Sequence, residues 1–334
     1  MCVFHPRFLF LGMPEGPTLR RFSSLVRPFV SQLIVKVGGS TKQIKLPDLM
    51  GQHFINSQVH GKNLYLAFGP GDRTLKRDLR HSEEEQSESH PAASKVEEPC
   101  SLSNETLEEP IKVPDDLHVG EPAEDGDWSR WLRFHFGLYG SVRANEFSRA
   151  RKGNKKGDWR DPSPRLILHF ESGGFLVFYN CRMMWCSSPV SDPACDILCS
   201  EFDKERALRA LAEPRPICIS LMDQRHFSGV GNIIKNEVLF LAQVHPLSFG
   251  SLLPPERLQS VLDHTIRFTS SWLENKLQRK GLHYHIYMKE RCDKGHEVEK
   301  EAIGPAYGLK RLTWYCPECQ PRVKPKDAAS SDSL

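Results

Sequence analysis

The sequence predicts an α+β protein of two unlike halves. An N-terminal antiparallel β-sandwich with a leading helix is followed by a C-terminal helical part that ends in a cysteine- and histidine-bearing β-hairpin. Three observations carry this. From Gln32 to Asn180 the chain falls into short alternating runs separated by glycine-containing turns. After about Ser200 the apolar period changes to that of helices. Near the end, Cys292 and His296 are followed, after nineteen intervening residues, by Cys316 and Cys319.

The elements follow in order. The stretch MPEGPTLRRF, Met13 to Phe22, opens the leading helix. Leu19, Phe22, Leu25, Val26 and Phe29 fall at helical spacing, and a proline has no N–H to leave unsatisfied at a helix start. QLIVKV and HFINSQVH read as strands, HGKN (His60 to Asn63) as a turn, and LYLAF as the returning strand. Lys62 is therefore expected at a hairpin tip with its ammonium projecting. From about residue 70 to 127 periodicity is lost in a Glu-, Ser- and Pro-rich stretch, which reads as a disordered acidic insert. WLRFHFGLYGSV, RLILHF and GFLVFYN resume the strands, the last two joined by Gly173-Gly174. LRALAEP, ISLMDQRHF, NIIKNEVLFLAQV and PPERLQSVLDHTIRFTSSWLENKLQ then read as helices. In the last, Leu258, Val261, Leu262, Ile266, Trp272, Leu273 and Leu277 form one apolar face. The expected organisation is an extension at 1–12, the sandwich at 13–200, a helical domain at 201–285, a finger at 286–321 and a polar tail at 322–334.

Composition narrows the function. No apolar run approaches the ~20 residues of a membrane span, and the apolar opening MCVFHPRFLFLG lacks the basic start and cleavage site of a secretory signal. Ten cysteines in such a chain point to free thiols or metal ligands in a reducing compartment. The net charge of +3 hides an asymmetry: His81 to Asp127 carries fifteen Asp and Glu against two Lys, a net of −13, which leaves +16 for the remainder. A strongly basic folded part suits a polyanionic partner such as nucleic acid, or a solubilising surface.

Motifs sharpen this. Three thiolates and one imidazole at the finger spacing satisfy tetrahedral zinc, whose binding would supply much of the folding free energy of so small a unit; the alternative is a chance cysteine cluster. Cys181, Cys186, Cys195 and Cys199 invite a weaker second-metal reading, against buried free thiols, with the last two read as helical. In MDQRHFSGVGNIIKNE, Met222 to Glu237, a helix runs into Gly229-Val230-Gly231 and Asn232 opens another. The exposed N–H groups of that start suit a phosphate clamp, or the glycines merely pack a plain αα-hairpin. Arg149 to Arg160 holds six basic residues, fit for a DNA backbone, a nuclear-import patch or a solvated loop.

An MPEGP start, a hairpin lysine, the DQ…GxGN turn and a Cys-His-Cys-Cys finger, in that order, closely resemble the formamidopyrimidine-DNA glycosylase / endonuclease VIII family over most of Met13 to Gln320. The resemblance implies a C-terminal helix-two-turn-helix domain with a β-hairpin zinc finger holding one structural Zn2+ on Cys292, His296, Cys316 and Cys319. It implies a bifunctional DNA glycosylase/AP lyase of base excision repair, acting on oxidised bases, mainly pyrimidines such as 5-hydroxyuracil. The damaged DNA would be double-stranded, bubble or single-stranded. In that scheme the freed Pro14 amine attacks C1′ and forms a Schiff base, and β,δ-elimination follows. Glu15 is the general acid/base, Lys62 the proton donor in β-elimination, Gly231 and Asn232 part of the DNA-binding turn, and Arg311 a phosphate ligand acting in the δ-step. Taken one at a time these residues have plainer readings: Glu15 a helix N-terminal charge, Lys62 a surface turn residue, Arg311 a hairpin surface charge. The implied setting is a monomer in the nucleus, with the cytoplasm as a second compartment and repair proteins as further partners. A Pro14 still joined to Met13 is an amide, so the working form is expected to begin at Pro14. The competing reading from another class is a non-catalytic zinc-finger DNA-binding scaffold.

Overall fold

The computed structural model describes residues 14–70, 130–150, 161–304 and 310–324. The N-terminal extension, nearly all of the acidic insert, most of the basic run at 149–160 and most of the polar tail lie outside these residues.

Helix α1 (Gly16–Val26) starts with a proline in its first turn and buries Leu19, Phe22 and Val26. Six strands follow: β1 (Ile34–Gly38), β2 (His53–His60), β3 (Asn63–Gly69), β4 (Arg130–Ala144), β5 (Leu166–Phe170) and β6 (Phe175–Cys186). They form one sheet in the order β1-β5-β6-β4-β3-β2, antiparallel throughout. The two sandwich layers are thus one sheet bent over itself. Its edges meet where Leu33 bridges His53 and Phe54 N–H donates to Gln32 O. The bend falls in β4, whose register with β6 breaks between Phe136 and Ser141. A bulge there raises twist and turns the strand. The inner faces bury Phe54, Phe68, Phe134, Phe170 and Phe178, and α1 closes the open side by setting Phe22 against Phe136 at 4.8 Å.

The second half contains α2 (Lys204–Leu211), α3 (Ile217–Ser220), α4 (Asn232–Leu241) and α5 (Pro255–Leu277), then the finger hairpin β7 (Glu299–Ile303) and β8 (Arg311–Tyr315). Two sequence expectations need correction here. The ISLMDQRHF segment is helical for one turn only, because Asp223 folds the chain back by accepting from Arg225 N–H while Gln224 reaches Val230 O. Cys195 ends a three-residue 3₁₀ helix, Pro193–Cys195, and Cys199 lies in a bend outside any helix. On α5 the expected face is buried at Leu258, Val261, Leu262 and Trp272, but Leu277 is exposed and Thr265 and Thr269 take inward positions. Each of those threonines satisfies its hydroxyl on the carbonyl four residues earlier, the usual way a helix hides a hydroxyl.

The finger has no separate core. Cys292, Ile303, Trp314, Cys316 and Cys319 belong to the same buried cluster as α4 and α5. Gln320 stitches it down, accepting from Cys316 N–H and donating to Val244 O. Among the described residues no helix is long and apolar enough to cross a membrane.

Candidate active site

Pro14 is buried, and Glu15 beside it caps the start of α1. The Glu15 side chain crosses to the other half of the molecule. Its Oε1 accepts from Ile233 N–H at 2.7 Å and its Oε2 from Ile234 N–H at 3.2 Å, both in the first turn of α4. A carboxylate at a helix N-terminus is stabilised by those unpaired N–H groups and by the helix dipole. Glu15 is nevertheless only 2% exposed. Burial is the largest influence and raises its pKa, against the lowering effects of Lys62 and the α4 N–H groups. Burial thus makes this carboxyl hold a proton more readily than a surface glutamate does.

Gly231 is required by this contact. A Cβ on it would stand 2.3 Å from Glu15 Cδ, closer than any real contact. The turn before it is shaped by Gln224, which accepts from Gly229 N–H and donates to Val230 O. Gly229 has φ +96° and lies against Gly16, whose N–H donates to Gly229 O at 2.9 Å. Glycines can make this approach because nothing projects from Cα.

Lys62 lies in the β2–β3 turn, as expected, but the expected projection into solvent is wrong. Its side chain is only partly accessible, and the enclosure of its ammonium lowers its pKa to about 8. Glu15 raises that pKa and Arg311 lowers it, which sets both charges within electrostatic reach of Lys62. The turn is held inward by a contact the sequence did not advertise. Asp196, 2% exposed, accepts from Gly61 N–H at 2.9 Å, from Arg20 at 3.0 Å and from Leu198 N–H at 3.0 Å. His60 Nδ1 stands 3.7 Å from it. The neighbouring Ser228 N–H donates to Cys195 O, and Ile197 N–H to Ser228 O, so the same loop also grips the glycine turn. Asp196 is therefore a positioning residue for Lys62. We expect Asp196→Ala to loosen the β2–β3 turn, read as faster backbone amide hydrogen exchange at Gly61 and Lys62 in a protein that otherwise stays folded. Unchanged exchange there in a folded Asp196→Ala protein would refute the assignment.

Asn232 opens α4, but its side chain is occupied within the protein: Nδ2 donates to Leu312 O and Oδ1 accepts from Lys235 Nζ. Lys235 is itself buried and also donates to Thr313 Oγ1 at 2.7 Å. Asn232 and Lys235 thus tie α4 to β8, the strand that begins with Arg311. The sequence reading missed Lys235; its only signal is a lysine inside the buried turn of NIIKNEVLFL, next to Asn236 and Glu237. Cys181, Cys186, Cys195 and Cys199 do not join a ligand-type cluster among the described residues. Burial pushes the Cys181 thiol up to about 12 and Cys195 up to about 11, so both behave as inert thiols.

At the finger the four expected side chains converge. The ligand atoms of Cys292, His296, Cys316 and Cys319 all lie within 4.8 Å of one another and could hold a metal ion. His296 Nδ1 is 3.3 Å from Cys319 Sγ and 3.7 Å from Cys316 Sγ, separations close to those of ligands around one tetrahedral ion. The three thiols are buried and free, so the donor set fits zinc.

The buried Glu15 carboxylate sits on the first turn of α4, in the same half of the chain as the Cys₃His hairpin, and comparison with known proteins places this arrangement in a family. Residues 193–280 match the family model described as the formamidopyrimidine-DNA glycosylase H2TH domain. The chain belongs to the formamidopyrimidine-DNA glycosylase / endonuclease VIII family. Within it, the chain is similar to Endonuclease 8-like 2 of Homo sapiens, at 47% identity over 93% of this chain and 97% of that one. It is 48% identical to Endonuclease 8-like 2 of Bos taurus, over 93% and 97% of the two chains. The fold is shared with the formamidopyrimidine-DNA glycosylase of Lactococcus lactis, at a TM-score of 0.60 and 18% identity, over 92% of this chain and 100% of that one.

Proposed function

We propose that this protein is a bifunctional DNA glycosylase/AP lyase that removes oxidised bases, mainly pyrimidines such as 5-hydroxyuracil, and then cuts the strand by β,δ-elimination. The observation that carries the reading is the buried Glu15 carboxyl at the start of α4, directly after Pro14 and within the field of Lys62, which in turn lies within that of Arg311. The names of the relatives, DNA glycosylases and endonucleases, support the same class.

In this reading the chain starts at Pro14. An α-amino group has a pKa near 8, so part of it is unprotonated at neutral pH and can attack C1′. Glu15 gives a proton to open the sugar ring as the base leaves. Proline's secondary amine yields an iminium, which acidifies the sugar C2′ proton and permits loss of the 3′ phosphate. Lys62 supplies a proton in that elimination, and Arg311 holds a phosphate with its planar guanidinium. The finger residues would hold one structural Zn2+, which supplies folding energy and no chemistry; its task is to keep β8, and with it Arg311, against α4. The target base must leave the stack, which costs least in a bubble or single strand.

A borohydride reaction on abasic DNA separates this reading from a non-catalytic scaffold: an enzyme leaves a covalent protein–DNA adduct, and a binder leaves none. The pH dependence tests Lys62. A proton donor must carry its proton, and at a pKa of about 8 the protonated fraction falls as pH rises through that value. Lyase rates on preformed abasic sites should therefore decline above pH 8. Lys62→Arg, which keeps its proton, should lose that decline at a lower maximal rate. An identical alkaline limb in both proteins would remove Lys62 from the role.

A further inference from the structure

We propose a second metal site, distinct from the Cys₃His cluster, formed by His283, His285 and Asp293 and suited to a divalent first-row transition ion. The three ligand atoms lie within 4.8 Å of one another. Asp293 Oδ2 is 2.5 Å from His285 Nδ1 and 3.7 Å from His283 Nε2. Two ligands around one tetrahedral zinc stand about 3.3 Å apart, so small side-chain rotations bring all three to a common centre. Two imidazoles and one carboxylate form a donor set that borderline divalent ions accept, leaving positions open for water or an anion.

The surroundings hold the ligands in place. His285 N–H donates to the buried Glu237 carboxylate of α4 at 2.7 Å, and its ring stacks near Phe240. Ile286 and Tyr287 N–H groups donate to the same carboxylate, so the loop that follows is fixed too. Asp293 belongs to the first finger knuckle, a turn closed by Gly295 N–H on Cys292 O. Lys289 Nζ donates to Asp293 Oδ1 at 3.0 Å. It leaves Oδ2 for the metal and orients the carboxylate, the task of outer-shell partners in metal sites. The side chain of His283 is 69% exposed and that of Asp293 38%, which gives an ion a path from solvent. Without metal the same groups make a hydrogen bond and two ion pairs, a stable resting arrangement that an ion would have to displace. Bound metal would cross-link the finger knuckle to the loop anchored on α4, and so stiffen the hold of the finger on the helical half.

The test uses the untagged full chain carrying its finger metal. After equilibrium dialysis against micromolar Zn(II), metal analysis should give two zinc ions per chain. His283→Asn and Asp293→Asn should each return it to one; the retained finger ion shows that the variant is folded. Co(II) added to protein that carries only its finger zinc should give d–d bands without a thiolate charge-transfer band, because no sulfur is in this donor set. A parent protein that takes up only one ion, or variants that bind as much as the parent, would overturn the proposal. A Co(II) spectrum with thiolate charge transfer would do the same, by assigning the added ion to the finger.

Discussion

Glu15→Gln should abolish base removal and leave strand cleavage at preformed abasic sites largely intact. The amide keeps the size of the side chain and one acceptor for Ile233 or Ile234 N–H, but it cannot deliver a proton to the sugar. General acid catalysis contributes on the order of 10²–10⁴-fold, and excision of 5-hydroxyuracil should fall by that range. The amide NH₂ will face one of the two α4 N–H groups, an unfavourable pairing worth about 1–3 kcal/mol, so a lower melting temperature should accompany the loss. On abasic DNA the base has already left and the hemiacetal opens spontaneously to the aldehyde, so the amine at Pro14 needs no help from Glu15. Parallel assays on the two substrates measure the separation. Equal loss on both would mean that Glu15 supports the architecture and carries no proton.

The second large effect concerns the nitrogen of Pro14. A chain beginning at Pro14 should form the borohydride-trapped adduct, and a chain that retains Met13 and the residues before it should not, because an amide nitrogen has no lone pair to offer. Pro14→Gly in the shorter chain should lose all or nearly all of the adduct, since the ring's secondary amine and fixed backbone angle vanish together. Both altered chains should keep salt-sensitive DNA binding, because the basic surface is unchanged. Mass spectrometry of the active protein from cells should read Pro14 as its first residue. An intact extension on active enzyme ends the Schiff-base account.

Strand alternation and helical period were enough to read the β1–β6 segments and α5, since each buries a face of its own. Lys62 and Glu15 were legible as types at positions but not in their surroundings. The turn at Lys62 is drawn in by Asp196, 134 residues further on, and no local pattern encodes a contact between chain segments so far apart. ISLMDQRHF misled for a related reason: its apolar spacing is helical, yet Asp223 and Gln224 spend their hydrogen bonds on reversing the chain. Asn232 was read as a donor toward a phosphate; in the fold its carboxamide joins Lys235 to Leu312 O. The convergence of Cys292, His296, Cys316 and Cys319 was legible because four ligand-type side chains at set spacing leave little freedom to the chain between them.

Gly16, Gly61 and Gly229 meet where sheet, hairpin and helical half converge. A Cβ on Gly61 would overlap Ser228, and one on Gly16 would press on the Gly229 backbone at 3.2 Å. At Gly229 a Cβ would find ordinary room, 3.4 Å from Gly16 Cα, but its φ of +96° suits only a residue without one. None of the three carries a functional group, so an inherited alanine at one of these bare positions would read, in a genotype, as a harmless swap while straining the seam on which the charged participants are seated.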